Sequence, residues 1–370
     1  MIYFDHGATS FPKPAEVCRA VQQAMEDCAN PGRGSHRAAE LAAQQVFSCR
    51  CAASELFGCK PEQVVFTQNC TMGLNMAIRT LVKPGDRVVI SGFEHNAVTR
   101  PLHGIGARIT VAGRKPFDRE DTLRSFRRAL DRGAKAAVFT HVSNVFGYIL
   151  PVGELAAECR KRHIPFIIDA AQSAGAIPID AEALGADFIA MPGHKGLQGP
   201  MGTGILICRR LPKALLMGGT GSESERQYMP DFLPDRGEAG TLNLPGIAGL
   251  EAGIRLVKAW DPGRIGCHES DLIRETARIL NNLGMDVYSG PDQLGTVSFR
   301  SGEDCETAAE MLARQGIAVR AGLHCAPLAH RSAGTFDTGT VRLSFGPGSE
   351  AADLNLLEKA VQTSLRPFRE

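Results

Sequence analysis

The sequence lacks long apolar runs and an excess of charge of either sign. None of its uninterrupted apolar stretches approaches the roughly 18 residues that a membrane span requires. The N-terminal stretch MIYFDHGATS contains neither a basic start nor the apolar segment of a secretory signal. The 41 basic and 40 acidic residues nearly cancel and form no runs of like charge, which argues against a nucleic-acid-binding surface. We therefore expect a cytoplasmic protein that binds neither membranes nor nucleic acid.

Paired cysteine motifs are also missing. The chain has 11 cysteines, an odd number, and no C-x-x-C segment. Cys49 and Cys51, the closest pair, do not have the spacing of a zinc site. Disulfide frameworks are typical of small secreted chains, whereas this chain has 370 residues. We predict no metal site and expect most of the thiols to be small buried side chains in a reducing compartment.

From residue 64 onward, short apolar runs alternate with amphipathic stretches. The pattern predicts helices at 71–81, 121–132 and 152–162, and strands at 64–67, 87–91, 136–142, 165–170, 187–191 and 204–208. This alternation is typical of an α/β fold with a mainly parallel sheet that is covered by helices on both faces. Ligands of such sheets bind at the carboxyl ends of the strands.

After residue 245 the pattern changes to that of a small α+β domain. The sequence predicts helices at 244–260, about 268–283, 305–315 and 350–365, and strands at 295–300, 317–320 and 340–345. The segment 217–237 is rich in glycine and serine, and its length is typical of a functional loop.

Two polar residues follow neighbouring predicted strands. Asp169 ends an apolar run, and Lys195 lies between two glycines after the next run. Either residue alone has an ordinary explanation, a helix cap for the acid and a solvated surface for the lysine. A phosphate-binding P-loop is excluded because its signature is absent. Together they match pyridoxal-phosphate chemistry, in which a lysine forms a Schiff base and an acid keeps the pyridinium nitrogen protonated.

A third segment, FTQNCTMGLN, predicts a turn into a helix that starts at Cys70 and Thr71. The free backbone N–H groups and the dipole of a helix start favour an anion, such as the phosphate of that cofactor.

At this point the chain resembles a known family. It is similar, almost from end to end, to the class V aminotransferase group of fold-type I pyridoxal-phosphate enzymes, in particular to the cysteine desulfurase and selenocysteine lyase branch. The similarity lies in the order and spacing of the segments YFDHGAT (3–9), NPGRGSH (30–36), EHNA (94–97), SNVFG (143–147), DAAQSAG (169–175), GHKGLQGPMGTG (193–204), EAGTLN (238–243), VRAGLHCA (319–326) and VRLSF (341–345).

The resemblance implies the fold of these transferases and a role for each matching residue. The large cofactor-binding domain is expected to span 15–245, and 1–14 together with 246–370 to form a small domain that carries the nucleophile. Lys195 is expected to hold pyridoxal phosphate, with His194 beside it near the phosphate. Asp169 is expected to pair with the ring nitrogen, Gln172 with the ring hydroxyl, and His95 to stack on the ring and assist proton transfer.

Further matching residues are expected to bind the phosphate and the substrate. Cys70 and Thr71 match phosphate-binding positions, and Thr241 matches a residue that reaches the phosphate of the neighbouring subunit, which implies a homodimer. Asn144 and Arg342 match substrate-contacting positions, with Arg342 binding the carboxylate of the amino acid through its fork of donors.

Cys325 matches the residue that takes sulfur from the substrate as a persulfide. His324 beside it and Arg320 five residues earlier predict an electropositive setting that favours the thiolate. The short loop resembles that of the second desulfurase group, whose sulfur passes to a dedicated acceptor. Two positions depart from the family pattern, since Pro192 and Cys70 stand where hydroxyl residues are usual.

We therefore expect a pyridoxal-phosphate-dependent cysteine desulfurase that converts L-cysteine to L-alanine and passes the sulfur to an acceptor. Selenocysteine lyase activity is one alternative, because the same site suits selenium. An aminotransferase, kynureninase-like or epimerase activity is another, since the fold does not fix the reaction. A catalytically silent sulfur-relay protein is the alternative outside the enzymes, and the presence of Lys195, Asp169 and His95 together argues against it.

Overall fold

The structure is a computed structural model that describes residues 1–32 and 34–369. Its strands are β1 (Ile2–Tyr3), β2 (Val64–Thr67), β3 (Arg87–Ser91), β4 (Arg108–Ala112), β5 (Ala136–Thr140), β6 (Phe166–Asp169), β7 (Phe188–Pro192), β8 (Gly204–Cys208), β9 (Asp286–Tyr288), β10 (Thr296–Arg300), β11 (Ile317–Ala318), β12 (Arg320–Gly322) and β13 (Thr340–Ser344). Its α-helices are α1 (Ala15–Asp27), α2 (Arg37–Phe57), α3 (Cys70–Leu81), α4 (Asn96–Ile105), α5 (Arg119–Leu130), α6 (Val152–Lys161), α7 (Ala181–Leu184), α8 (Leu244–Trp260), α9 (Pro262–Asn282), α10 (Cys305–Arg314), α11 (Pro327–Ala333) and α12 (Ala351–Ser364).

A seven-stranded sheet forms the centre of the fold, in the order β2-β8-β7-β6-β5-β3-β4. Strand β8 is antiparallel to both of its neighbours, and the other neighbouring pairs are parallel. The predicted α/β class with a mainly parallel sheet is confirmed.

The central strands are apolar on both sides because helices cover both faces of the sheet. In β5, Ala137 and Phe139 pack in one core with α2, α5, α6 and α8. Ala136 and Val138, which point the other way, pack in a second core with α3 and α4. Such two-sided burial explains why these strands appear in the sequence as continuous apolar runs without polar alternation.

The C-terminal part forms a second sheet, in the order β12-β13-β10-β9, with antiparallel neighbours. Residues of α9, α10 and α12 pack against it in a separate core. This is the predicted α+β arrangement. The division of the chain at residues 14 and 245 stays a prediction, and we note that α8 packs against α1 and α2.

The N-terminus belongs to this second core. Strand β1 pairs in parallel with β11, and Phe4 is buried among the residues of the C-terminal core. Asp5 then bridges to Ser344 at the end of β13. The residues that follow therefore pass between the two sheets. None of the helices in the described ranges is both long and apolar enough to cross a membrane.

Candidate active site

A cavity of about 350 Å³ opens at the carboxyl ends of β5, β6 and β7. The start of α3 and the loop that follows β12 complete its walls. The cavity brings together the predicted site residues other than Thr241, namely Lys195, Cys325, His95, Asp169, Gln172, His194, Cys70, Thr71, Arg342 and Asn144.

Asp169 is the last residue of β6 and is only 2% exposed. Burial raises the pKa of its carboxyl, and the backbone N–H of Ala171, which donates to Oδ1 over 2.9 Å, acts in the opposite direction. The thiol of Cys70 donates to the same oxygen over 3.6 Å. A protonated ring nitrogen facing this carboxyl would favour its anionic form, as an opposite charge does for a buried acid.

Lys195 lies on the tight loop after β7. Its neighbour Gly196 approaches the backbone so closely that a Cβ there would lie 2.3 Å from the carbonyl oxygen of Ala174, so a side chain does not fit. Burial, and after it the charge of Arg342, lowers the pKa of Lys195, while Asp169 acts in the opposite direction. A lowered pKa favours the neutral amine, which is the form that attacks a carbonyl.

The N-terminal segment holds the residue before this lysine. The carbonyl of His194 accepts hydrogen bonds from the side chains of Thr9, Ser10 and Lys13 at 3.0, 3.1 and 2.8 Å, and from the backbone N–H of Ser10 at 3.0 Å. These bonds fix the orientation of the peptide that precedes Lys195.

His95 precedes α4 and acts as its N-cap. Its Nδ1 accepts from the backbone N–H of Ala97 over 2.9 Å, which leaves the ring proton of the neutral imidazole on Nε2. Burial, followed by the charge of Lys195, lowers the pKa of His95 to about 4. The ring is therefore uncharged near neutral pH.

Gln172 and His194 contact the N-terminal segment. The side-chain amide of Gln172 donates to the carbonyl of Gly7 over 3.1 Å, and Nδ1 of His194 lies 3.2 Å from the hydroxyl of Thr9. Burial lowers the pKa of His194 to about 4.

The start of α3 provides an anion site in the same cavity. The side chain of Asn69 accepts from the backbone N–H of Met72 over 2.9 Å, whereas the N–H groups of Cys70 and Thr71 have no acceptor among the described residues. Such free groups, at the positive end of the helix dipole, suit a phosphate. Pro192 lines the cavity without a hydroxyl, and the side chain of Cys70 is bonded to Asp169 instead.

These residues fit pyridoxal phosphate. The buried acid, the lysine amine and the free N–H groups are the three features that its ring nitrogen, aldehyde and phosphate need. All three lie in one cavity.

Arg342, on β13, is 2% exposed and lies beside the lysine. Its Nη1 donates to the carbonyl of Asn144 over 2.9 Å, and its Nη2 donates to Asp5 Oδ1 over 2.7 Å. Its Nε is buried and has no partner among the described residues. The guanidinium also lines the cavity, where its positive charge suits the carboxylate of an amino acid.

Cys325 lies exposed at the cavity rim, after β12. Its φ of 56° and that of His324, 50°, are both left-handed, so the chain turns sharply here. The carbonyl of Cys325 accepts from the backbone N–H of Asn96 over 2.8 Å, and that of His324 accepts from the side chain of Asn144 over 2.7 Å. The backbone is held while the thiol stays accessible.

Comparisons with known proteins show the family of this chain. The family model of aminotransferase class-V matches residues 2–357. The chain belongs to the aminotransferase class-V family. A probable cysteine desulfurase of Methanothermobacter thermautotrophicus is 31% identical, over 98% of this chain and 94% of the relative. Another probable cysteine desulfurase, from Pyrococcus abyssi, is 33% identical, over 93% of this chain and 89% of the relative.

Solved structures of cysteine desulfurases are also similar to this chain. The apo structure of a cysteine desulfurase from Thermococcus onnurineus superposes with a TM-score of 0.90 at 31% identity, over 98% of this chain and 94% of the other. A cysteine desulfurase from Escherichia coli superposes with a TM-score of 0.87 at 25% identity, over 98% of this chain and 94% of the other. The predicted resemblance to class V aminotransferases is confirmed.

The structure changes one expectation for the surroundings of Cys325. Of the two groups expected to make them electropositive, only Arg320 carries a charge. Arg320 is paired with the carboxylate of Asp5, at 2.9 to 3.2 Å. Burial lowers the pKa of His324 well below its usual range, so this imidazole is neutral, and its Nδ1 lies 3.4 Å from Nε2 of His330. The sequence alone does not show that Asp5 pairs with Arg320 or that His330 lies against His324.

Thr241 lies outside the cavity. It is exposed and lines a separate depression with Glu238 and Leu242. It therefore does not contact the cofactor cavity of its own chain. Sequence reasoning also missed Asp5 as a member of the site, although it stands in the segment YFDHGAT (3–9) that carries the resemblance.

Proposed function

We propose that this class V protein is a pyridoxal-phosphate-dependent cysteine desulfurase. It converts L-cysteine to L-alanine and transfers the sulfur to Cys325, from which an acceptor thiol removes it. The observation that carries the proposal is the exposed thiol of Cys325 on the rim of the cavity that contains Lys195 and Asp169. The relatives named as cysteine desulfurases support it.

Each part of the cofactor has a residue that suits it. Lys195 would hold it covalently, Asp169 would face the ring nitrogen, and the N–H groups of Cys70 and Thr71 would bind the phosphate. When bound, the cofactor supplies an electron-accepting ring that stabilises negative charge at the α-carbon of the substrate. The neutral imidazole of His95, on the cavity wall, would stack on that ring.

The substrate is oriented by Arg342 and deprotonated by Lys195. The guanidinium of Arg342 binds the carboxylate of the amino acid, with Asn144 beside it. The amine of Lys195, whose pKa burial lowers, accepts the proton of the α-carbon at Nζ. Both groups lie in the same cavity, so the proton moves over a short distance.

The sulfur is transferred at Cys325. Its thiolate attacks the sulfur of the substrate, so that an S–S bond forms and the bond between sulfur and the β-carbon breaks. The electron pair of the broken bond stays with the carbon part, which takes up protons and leaves as L-alanine. The step needs no outside oxidant, because the two electrons that the sulfur atoms lose on forming the persulfide are gained by the β-carbon. Since the thiol is exposed, an acceptor thiol can reach the outer sulfur.

The exposed position of Thr241, outside its own cavity, supports a homodimer in which this hydroxyl reaches the phosphate of the neighbouring subunit. Selenocysteine would use the same site, whereas an aminotransferase, epimerase or kynureninase-like reaction has no use for a thiol at the rim. The test is to offer L-cysteine and L-selenocysteine in parallel and to measure alanine, sulfide and selenide. The absence of alanine from both substrates would contradict the proposal.

A further inference from the structure

Cys325 lies in a tight turn whose two central residues, His324 and Cys325, are neither glycine nor asparagine. The backbone N–H of Ala326 donates to the carbonyl of Leu323 over 2.8 Å and closes the turn. The φ angles of His324 and Cys325 are 50° and 56°. Two successive positive φ angles are the requirement of a type I′ turn, which favours glycine and asparagine. Other residues keep this conformation only where surrounding contacts hold them.

A chain of hydrogen bonds holds the side chain of His324. Its Nε2 lies 3.3 Å from the carbonyl oxygen of Arg320, and its Nδ1 lies 3.4 Å from Nε2 of His330. Nδ1 of His330 lies 2.8 Å from the hydroxyl of Thr335. The two rings are nearly parallel, with an angle of 14° between their planes.

The carbonyl of Arg320 sets the direction of the bonds in this chain. A carbonyl oxygen only accepts, so the ring proton of His324 lies on Nε2. Nδ1 of His324 therefore accepts from Nε2 of His330, and Nδ1 of His330 accepts from the hydroxyl of Thr335. Burial lowers the pKa of both imidazoles, so both rings are neutral, as this order of donors requires.

His330 connects the turn to a helix that is fixed on the central sheet. It is fully buried and belongs to α11. Ala329 of this helix lies in the same core as Phe139 of β5. The hydroxyl of Ser332 donates to the carbonyl of Gly92, directly after β3, over 2.8 Å. The helix is therefore anchored to the sheet on both sides of His330.

We propose that His330 is a positioning residue for sulfur transfer, which holds the turn at Cys325 through the ring of His324. His324 is among the described residues that line the cavity and His330 is not, so His330 acts through its neighbour. The inference rests on the proposed function, because it concerns the thiol that receives the sulfur. Without the bond from His330, the turn should open more often and the thiol should be aligned with the substrate less often.

The test compares two substrates. His330→Met removes the donor and fills the space of the ring with an unbranched apolar side chain. With L-cysteine, kcat for alanine formation should fall about tenfold, as for one lost hydrogen bond, at an unchanged KM. With L-selenocysteine, kcat should change little, because the weaker carbon–selenium bond needs less help from Cys325. His330→Gln, whose amide N–H can replace the ring N–H at Nε2, should restore the ratio of wild type.

His268→Met is the matched control. It also removes a hydrogen-bonded imidazole, since Nε2 of His268 lies 2.8 Å from the carbonyl oxygen of Ser349. His268 is half-buried on α9, outside the cavity. Its variant should keep the activity of wild type on both substrates.

Amide hydrogen exchange of the cofactor-loaded protein, followed by mass spectrometry, measures the turn without turnover. The N–H of Ala326, which closes the turn, should exchange about tenfold faster in His330→Met than in wild type. Thr335→Val removes the hydroxyl at the end of the chain of bonds and should change both readouts in the same direction. This variant provides the test if His330→Met does not fold.

Exchange of Ala326 at the rate of wild type in the folded variant would overturn the inference, and so would equal losses of activity on the two substrates. If wild type forms no alanine from L-cysteine, it is the proposed function that fails. The exchange of Ala326 then still tests the role of His330.

Discussion

The backbone N–H of Asn96 donates a hydrogen bond to the carbonyl of Cys325 over 2.8 Å. Asn96 is the first residue of α4 and directly follows His95. The helix start that positions the imidazole therefore also holds the loop that carries the thiol. This bond connects α4, which packs on the central sheet, to the loop that follows β12 of the C-terminal sheet. The proposed cofactor ring and the thiol of Cys325 would meet at this place.

Replacing the lysine tests how the cofactor is held. Lys195→Ala should abolish the yellow absorbance of the loaded protein and all alanine formation, because no other amine lines the described cavity. Lys213→Ala, at an exposed position, should keep both. Borohydride reduction of wild type followed by peptide mass spectrometry should place the cofactor on Lys195. Modification of a different lysine would refute the assignment.

Replacing the buried acid tests the charge opposite the ring nitrogen. Asp169→Asn should keep part of the cofactor affinity but lower kcat about 100-fold or more, because an amide does not stabilise a positive ring nitrogen. Asp131→Asn, which removes a surface carboxylate paired with Arg162, is the control and should behave as wild type. Steady-state kinetics with L-cysteine measure kcat for both variants and for wild type. Turnover near that of wild type in Asp169→Asn would exclude the proposed role.

Acid should destabilise the fold before the surface carboxylates titrate. Burial lowers the pKa to about 4 in His6, His95, His141, His194 and His330. Each of these groups contributes stability above its unfolded pKa of about 6.5, and this is lost as the pH falls toward 4. His324, whose pKa burial also lowers, acts in the same direction. Burial raises the pKa of Glu94 and Glu269 to about 8 and also raises that of Asp169 and Glu238, so these four acids act in the opposite direction, but they are fewer than the six histidines.

The free energy of unfolding should therefore fall between pH 6.5 and pH 4.5, by about 1.4 kcal/mol per pH unit for each proton that is not compensated. Urea unfolding at a series of pH values measures this slope. Above pH 6.5 Glu94 and Glu269 make stability decline as the pH rises toward 8. A free energy of unfolding that does not change between pH 4.5 and 6.5 would show that these histidines are accessible to protons in the folded protein.

The position of Thr241 leads to a prediction about assembly. If its hydroxyl binds the phosphate of a neighbouring subunit, Thr241→Ala should weaken cofactor affinity about tenfold, the value of one hydrogen bond to a charged group. Sedimentation should show a dimer for wild type and for the variant. A wild-type protein that is active as a monomer would contradict the shared site.

Most strands of the central sheet could be predicted from sequence because both of their faces are buried. The runs at 64–67, 87–91 and 204–208 coincide with β2, β3 and β8, and 244–260 coincides with α8. Strand β4, Arg108–Ala112, was not predicted. It lies at the edge of the sheet and is only partly buried, so its apolar signal is weak. The sequence also does not show that β8 runs antiparallel to its neighbours, because the direction of a strand does not change its pattern of apolar residues.

The members of the site that lie at strand ends were predictable, and their partners were not. Asp169 and Lys195 follow neighbouring strands, β6 and β7, so the topology rule places them together. Asp5 meets Arg342 across 337 positions of chain, and no local pattern connects them. The same is true of His330 beside His324, whose short separation in sequence gives no sign that the two rings stack. For that reason the sequence did not predict that His324 is neutral.

The most direct test of the account is alanine formation by Cys325→Ala. This variant keeps Lys195, Asp169 and Arg342, so it should bind pyridoxal phosphate and take up L-cysteine, but it should release no sulfur because no thiolate attacks the substrate. On L-selenocysteine it should keep a substantial fraction of its activity, since the weaker carbon–selenium bond needs less help. Cys267→Ala, which removes another exposed thiol, is the control and should match wild type on both substrates.

The decisive measurement compares alanine from L-cysteine in wild type, Cys325→Ala and Cys267→Ala. Mass spectrometry tests for an additional sulfur atom on Cys325 of wild type and of Cys267→Ala. The account predicts no alanine from Cys325→Ala and a persulfide on Cys325 in the other two proteins. Alanine formation by Cys325→Ala at the rate of wild type would contradict it.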